Sequence, residues 1–291
     1  MELQTKAAEN LNDSLLNNEV THLIKVLQDK GSISCTDYLL GIKCEVEEMI
    51  ENESHLTSAE LLTPTNIEIR KMYFKYIMFM FKLYPILFDK VESTVAVIKS
   101  TETCFDFYYV RKKILEEIET EFARIPEEFF TCPASTKYHG AFCGGLFRHS
   151  ITVLMAVLLT YDAYLIPGCN GRLVNYLPVK CACANVAKNY MAILLHDLCK
   201  VGKYIYNPTK DVYDYNKNAE PSFQHGAESY RRMVDAMFFV SKNWELAVVY
   251  HMGCFDTSKQ ETMDFSSITE KVPEVLLLHH ADMIAAKIYH I

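Results

Sequence analysis

Apolar residues recur every three or four positions along most of this chain, which is the spacing of a helix that buries one face. Proline and glycine interrupt this pattern between successive segments. Only Lys203–Tyr215, with tyrosine at 204, 206, 213 and 215, alternates as a short hairpin does. We therefore predict an all-α fold with one small β-ribbon. The predicted helical segments are Val20–Gln28, Asn66–Phe88, Phe107–Ala123, Arg148–Leu165, Val179–Leu198, Gly226–Val240 and Pro273–Tyr289.

Composition excludes several classes of protein. The 291 residues are half hydrophobic, so the chain can bury a sizeable core. Its 29 Lys and Arg against 37 Asp and Glu give a net charge of -8, which argues against coating nucleic acid by bulk electrostatics. Ten cysteines without a CxxC pair indicate reduced, buried thiols. The polar N-terminus and the absence of a long uninterrupted apolar run predict a soluble, cytoplasmic protein with no membrane partner.

The distribution of histidine suggests two regions. Only His22 and His55 precede residue 125, and the other eight histidines follow it. We predict a helical accessory region at 1–130 and a catalytic body at 131–291. The oligomeric state is left open.

The strongest local signal is the pair His196-Asp197, which directly follows the apolar run 191–195. A buried carboxylate needs a cation or several hydrogen-bond donors, and a divalent metal supplies that charge. Imidazole and carboxylate ligands suit Mn, Fe, Co, Ni or Zn better than Ca. Lys200 lies about one helical turn beyond His196 and is a candidate to meet an anionic substrate oxygen.

Four further metal-competent residues occur in core-forming sequence: His149, His225, His251 and Asp282. Each is weak evidence alone, since a single histidine near a helix end is usually structural. Together with His196-Asp197 they are economically explained by convergence on one or two metal ions.

The order H…HD…H…H…D resembles the HD-domain superfamily of metal-dependent phosphohydrolases. The segment 138–149, YHGAFCGGLFRH, is similar to the HHAYxGGLLxHT segment of two HD groups. These are the bacterial 3′–5′ exonucleases that join an OB domain to an HD domain, and the HD-type relaxase-associated domains of conjugative elements. Segment 194–200, LLHDLCK, resembles their LLHDxGK, with Cys199 in place of glycine, and 278–282, LHHAD, resembles LHxAD. Segments 223–226 and 250–253 resemble the intervening histidine motifs, with Gln224 in place of a common glycine and one histidine of HHG moved or lost.

The resemblance covers about 135–290 and implies an HD-type helical bundle. It implies that His149, His196, Asp197 and Asp282 bind a first metal, and that His225 and His251 bind a second, with Asp197 as the bridge. Lys200 would lie near the scissile phosphate. His139 and Arg148 are weaker candidates for substrate contacts, and His279 and His280 are expected to pack.

The resemblance implies hydrolysis of a phosphate ester in a nucleotide or single-stranded nucleic acid by metal-activated water. The cofactor would be one or two divalent ions among Mn, Fe, Ni, Co, Mg and Zn. Two other hypotheses stay open: a di-iron oxygenase of the HD type, and a non-catalytic HD module of a mobile element.

Overall fold

The computed structural model describes residues 35–94, 107–165, 179–207, 209–221, 224–256 and 265–291. Within these ranges the chain is mainly helical, which confirms the all-α prediction. The helices are α1 (Cys35–Ser54), α2 (Ser58–Leu61), α3 (Pro64–Thr94), α4 (Phe107–Phe122), α5 (Gly145–Leu165), α6 (Val179–Leu194), α7 (His225–Asp235), α8 (Lys242–Tyr250) and α9 (Pro273–Lys287).

The predicted β-ribbon is also confirmed. Strands β1 (Tyr204–Asn207) and β2 (Val212–Tyr215) pair antiparallel, with Tyr204 opposite Tyr215 and Tyr206 opposite Tyr213. The predicted helix at Val20–Gln28 lies outside the described residues. The periodic pattern did not predict α1 or α8, and it ran α6 and α7 a few residues too far.

Helix α5 lies near the centre of the fold, because α1, α6 and α9 all pack against it. Its residues from Ile151 to Leu158 are almost wholly buried, which matches its nearly continuous apolar sequence. Helix α3 packs against α6, and α8 contacts both α6 and α9. Since α5, α6, α8 and α9 carry or adjoin the predicted ligands, this packing brings distant segments of the chain to one place.

One hydrophobic core includes residues from both of the predicted regions. Phe74 on α3 makes edge contacts with Phe129 and Phe130, and its ring lies 6.3 Å from that of Phe147 on α5. The N-terminal helices therefore share a core with the histidine-rich part of the chain. The division into an accessory region and a catalytic body stays a prediction about chemistry.

A buried arginine joins the N-terminal helices to the entry of α5. Arg70 is fully buried and donates to Glu53 Oε1 at 2.7 Å, Leu61 O at 2.7 Å and Phe130 O at 2.8 Å. Gly144 lies directly above the guanidinium, with φ +76°, and a Cβ there would lie 2.6 Å from Arg70 Nη1. Only glycine suits this position, for reasons of both space and conformation.

We expect the substitution Arg70→Met to lower the free energy of unfolding by about 3–5 kcal/mol, because it leaves the Glu53 carboxylate buried without its cation. Chemical denaturation of the metal-free protein measures this. The control is Lys71→Met, one residue along α3, whose partners Glu68 and Glu127 are exposed. That substitution should cost less than about 1 kcal/mol. Equal losses in the two variants would contradict the buried role of Arg70.

Candidate metal centre

The six predicted ligands lie on helices that meet in the core, or directly after them, and five of the six lie at or near a helix end. His149 is in the first turns of α5, and Asp282 is within α9. His196 and Asp197 follow the last residue of α6, His251 follows α8, and His225 is the first residue of α7. His149, His196, Asp197 and His251 are almost completely buried. Histidine and aspartate at such depth need specific partners.

A polar network fixes the helices that carry these residues. Asn185 Nδ2 on α6 donates to Glu274 Oε1 on α9 at 2.8 Å, and Trp244 Nε1 on α8 donates to Asn185 Oδ1 at 3.2 Å. One turn later, Asn189 Oδ1 accepts from Ser241 N at 2.7 Å, at the start of α8. Helix α6 is kinked at Asn189, whose backbone dihedral angles are not helical, and continues beyond it. The network therefore sets the relative positions of α6, α8 and α9.

Helix α7 is held against the turn that follows Asp197. The Ser229 hydroxyl accepts from Cys199 N at 3.2 Å, and Arg232 Nη1 donates to Val201 O at 2.7 Å. Hydrogen bonds from Arg231 and Arg232 lower the pKa of buried Glu228 to about 2, although burial alone raises it. A Cβ on Gly226 would lie 2.3 Å from Val249 O, so glycine allows α7 to cross the end of α8 closely. This crossing brings His225 beside His251.

Three buried histidines present the same ring atom to the centre. The Nδ1 atoms of His149, His196 and His251 lie 2.7, 2.7 and 2.6 Å from the main-chain oxygens of Ile291, Ile193 and Val248. A carbonyl oxygen only accepts, so each Nδ1 carries a proton and donates it. The opposite nitrogen, Nε2, has no hydrogen-bond partner among the described residues, and in a neutral ring it holds a lone pair. This tautomer, fixed by a backbone oxygen, is the one that metal-binding histidines adopt.

The Nε2 atoms face carboxylate oxygens, which are also acceptors. His149 Nε2 lies 3.0 Å from Asp282 Oδ1 and 3.5 Å from Asp197 Oδ2, and His196 Nε2 lies 3.7 Å from Asp197 Oδ2. Ligands about 2.1 Å from one ion lie about 3.0–3.4 Å apart at octahedral or tetrahedral angles. A neutral imidazole nitrogen that faces a carboxylate oxygen at about this spacing fits a shared divalent cation.

The two oxygens of Asp197 face different groups of ligands. Oδ2 faces His149 and His196, whereas Oδ1 is hydrogen-bonded to His225 Nε2 and lies 3.5 Å from His251 Nε2. The arrangement fits the predicted bridging position of Asp197 between two sites. Within the described residues, three sets have ligand atoms close enough for one ion: His149 with His196 and Asp282, His196 with Asp197 and His251, and Asp197 with Cys199 and His225.

Electrostatics keep Asp197 ionised despite its depth. Burial alone raises the pKa of Asp197, but Lys200 and His225 hold it well below its usual range. Lys200 Nζ lies 2.6 Å from Asp197 Oδ2, and although burial lowers the pKa of Lys200, Asp197 raises it above its usual value. Burial also lowers the pKa of His196 to about 3, so its ring is neutral at physiological pH. A neutral imidazole beside an ionised carboxylate is the state that binds a metal.

His139 and Arg148, the two weaker candidates for substrate contacts, lie in different surroundings. The ring of His139 lies 5.0 Å from that of His149, and burial lowers the pKa of His139 to about 4. Its contact with substrate stays a prediction. Arg148 is not brought to the cluster: its Nη2 donates to Ile50 O on α1 at 3.2 Å, and its guanidinium lies over the Phe142 ring. Its side chain leaves α5 on the face that packs against α1, and its contact with phosphate stays a prediction.

Sequence reasoning missed three contributors. Cys199 was noted only as a departure from the motif, yet its sulfur lies beside His225. Ile291 O holds His149, and no side-chain pattern signals a backbone carbonyl. Tyr204 on the ribbon is close enough to Lys200 and Asp197 to be influenced by their charges, and burial raises its pKa to about 12. The alternation of tyrosines was the available signal for Tyr204. Its partner Tyr215 is largely exposed.

We expect the metal-free protein to show His196 as a neutral ring protonated on Nδ1, and His149 and His251 also to carry a proton on Nδ1, because this atom donates to a main-chain oxygen. Long-range proton–nitrogen NMR spectra of the imidazole rings distinguish the two tautomers, with exposed His55 as the reference. Addition of Zn²⁺ should shift the Nε2 resonances and leave Nδ1 protonated, because the carbonyl bonds persist. A proton on Nε2 of His196 in the metal-free protein would contradict this assignment.

Comparison with known proteins adds no relative to this description. No protein-family model, curated protein or solved structure matches the chain. The resemblance to the HD superfamily therefore depends on the motifs around His149, His196, Asp197 and Asp282.

Proposed function

We propose that this chain is a divalent-metal-dependent phosphohydrolase that cleaves a phosphate ester in a nucleotide or single-stranded nucleic acid. The observation that carries the proposal is the convergence of three partnerless Nε2 atoms on the carboxylates of Asp197 and Asp282. The order of these residues along the chain, which resembles that of the HD superfamily, supports the same function.

The residues present fit the implied metal. His149, His196, Asp197 and Asp282 would hold one ion, and His225 and His251 would hold a second with Asp197. Nitrogen and carboxylate ligands of this kind suit Mn, Fe, Co, Ni or Zn. When bound, a divalent ion neutralises phosphate charge and lowers the pKa of water from 15.7 towards about 7.

Lys200 distinguishes this cluster from a purely structural metal site. A structural site needs ligands that neutralise the metal, and an additional cation beside them is then unfavourable. Lys200 Nζ contacts Asp197 Oδ2 and its side chain is 11% exposed, so it lies between the ligands and solvent. An ammonium group in this position can bind a phosphoryl oxygen and stabilise the negative charge that develops there.

The cluster is most accessible at His225, on α7, and at Asp282, on α9. The side chains of His225 and Asp282 are 20% and 13% exposed, whereas His149, His196 and His251 are fully buried. Substrate would therefore approach from the side of His225 and Asp282, and Tyr204 on the ribbon is close enough to Lys200 to be influenced by its charge. A tyrosine ring there can pack against a base, which supports a nucleotide as the substrate class.

The decisive test is a screen of the full chain, stripped of metal and reconstituted with Mn, Ni, Fe, Zn or Mg. Nucleotides, cyclic dinucleotides and single-stranded DNA are the substrates, and phosphate or nucleotide release is the readout. Metal-dependent turnover of at least one class supports the proposal. Iron content accompanied by oxygen uptake, without hydrolysis, would favour the oxygenase hypothesis.

We expect the double substitution His196→Ala, Asp197→Ala to abolish metal binding and turnover while the far-ultraviolet circular dichroism stays helical. It removes one ligand of the first group and the carboxylate shared by both groups. Calorimetric titration with Mn²⁺ measures the binding. Full activity in this variant would rule out the assigned site.

Lys200→Met should lower kcat by about 10²–10³ while metal affinity stays within a few-fold, because the group acts on substrate charge. The control is Lys217→Met, an exposed lysine beyond the ribbon. A fall in metal affinity that accounts for the whole loss of kcat would instead assign Lys200 a structural role.

A further inference from the structure

Cys199 occupies a place in the metal centre that the superfamily motif leaves to glycine. Its side chain is completely buried, in the short 3₁₀ turn Leu198–Lys200 that follows Asp197. The turn directs Sγ towards α7, where it lies 3.4 Å from His225 Nδ1 and 3.6 Å from His225 Nε2.

We propose that the Cys199 thiolate, together with Asp197 and His225, binds a divalent metal ion, and that this ligand set selects zinc, cobalt or iron(II) over magnesium and manganese. The inference rests on the proposed metal-dependent function and specifies the ligands of its second site.

The spacing of the ligand atoms supports coordination. Asp197, Cys199 and His225 each offer one atom within 4.8 Å of the other two. A tetrahedral zinc ion, at about 2.3 Å from sulfur and 2.0–2.1 Å from nitrogen, separates those two ligands by about 3.6 Å. This equals the distance from Sγ to His225 Nε2. Because Sγ lies at nearly the same distance from both ring nitrogens, it sits over the face of the His225 ring. The ring must therefore rotate to direct Nε2 at an ion shared with Sγ, and its hydrogen bond to Asp197 must give way to the ion.

A second observation points to a ligand at the same place. His251 is fully buried, its Nε2 has no hydrogen-bond partner among the described residues, and it lies 3.5 Å from Asp197 Oδ1. The rings of His225 and His251 are 5.4 Å apart. The Nε2 atom of His251 thus faces the same carboxylate oxygen that His225 contacts.

The chemistry of sulfur gives the metal preference. Thiolate is a soft ligand that favours zinc, cobalt and iron over magnesium and manganese, which prefer oxygen. Coordination forms one metal–sulfur and one metal–nitrogen bond, and the ion displaces to solvent both the thiol proton and the proton that His225 Nε2 donates to Asp197. Since no redox change is involved, the step needs no oxidant or reductant.

The test uses Co²⁺ as a spectroscopic probe of the full chain after removal of metal. A thiolate ligand gives a charge-transfer absorption band in the near ultraviolet, which nitrogen and oxygen ligands do not give. We expect this band in the natural protein and in the Cys132→Ala variant, which lacks another buried cysteine. Cys199→Ala and Cys199→Ser should lose the band and bind the second equivalent of Zn²⁺ at least tenfold more weakly.

Two results would overturn the proposal: no charge-transfer band in the natural protein, or an undiminished band in the Cys199 variants. If both variants fail to fold, X-ray absorption of the zinc-loaded natural protein decides. A sulfur neighbour at about 2.3 Å is required, and its absence overturns the proposal. Turnover without the band would remove Cys199 as a ligand but leave the hydrolase proposal standing. The band without turnover would support Cys199 as a ligand and count against the hydrolase proposal.

Discussion

The carboxylate of Asp197 is the group on which the organisation of the core depends. It is buried and ionised, and an isolated buried charge would cost several kcal/mol. Two side chains compensate this charge: Lys200 in the turn that follows Asp197, and His225 at the start of α7. These contacts require α7 to lie against the turn after α6. Burial of one charge therefore constrains where two other segments of the chain can pack.

Hydrogen bonds to main-chain carbonyls at the ends of helices orient two of the ligands. The last carbonyls of a helix have no partner within it. After α6, the Ile193 carbonyl accepts from His196, and after α8, the Val248 carbonyl accepts from His251, each three residues along the chain. One hydrogen bond thus satisfies an orphan carbonyl and fixes which nitrogen faces the centre. His279 makes a similar contact, because its Nδ1 donates to the carbonyl of His251 itself.

The sequence predicted those features that depend on local pattern. Apolar periodicity identified α3, α4, α5 and α9, because each helix buries one face. Alternating tyrosines identified the ribbon, in which they pair across the two strands although Tyr206 and Tyr215 are exposed. The apolar pattern missed α1 and α8. It also placed the end of α6 too late, because the polar turn after Leu194 remains buried. The order of the motifs along the sequence identified the six side chains that lie together in the core. It could not predict the direction of Arg148, which depends on the packing of α1 against α5, or the partner of His149, which is the backbone of Ile291.

The packing of the N-terminal helices explains why a region without predicted ligands matters to the centre. Arg70 on α3 holds the carbonyl of Phe130, and its guanidinium lies beneath Gly144, the residue before α5. Gly144 N in turn donates to Thr131 O, and Leu146 N donates to Cys132 O. These bonds fix the start of α5, and His149 lies one turn later, with its ring against His196. The position of a predicted ligand thus depends on a buried ion pair between α1 and α3, so chemistry concentrated in one half of the sequence relies on a core built by both.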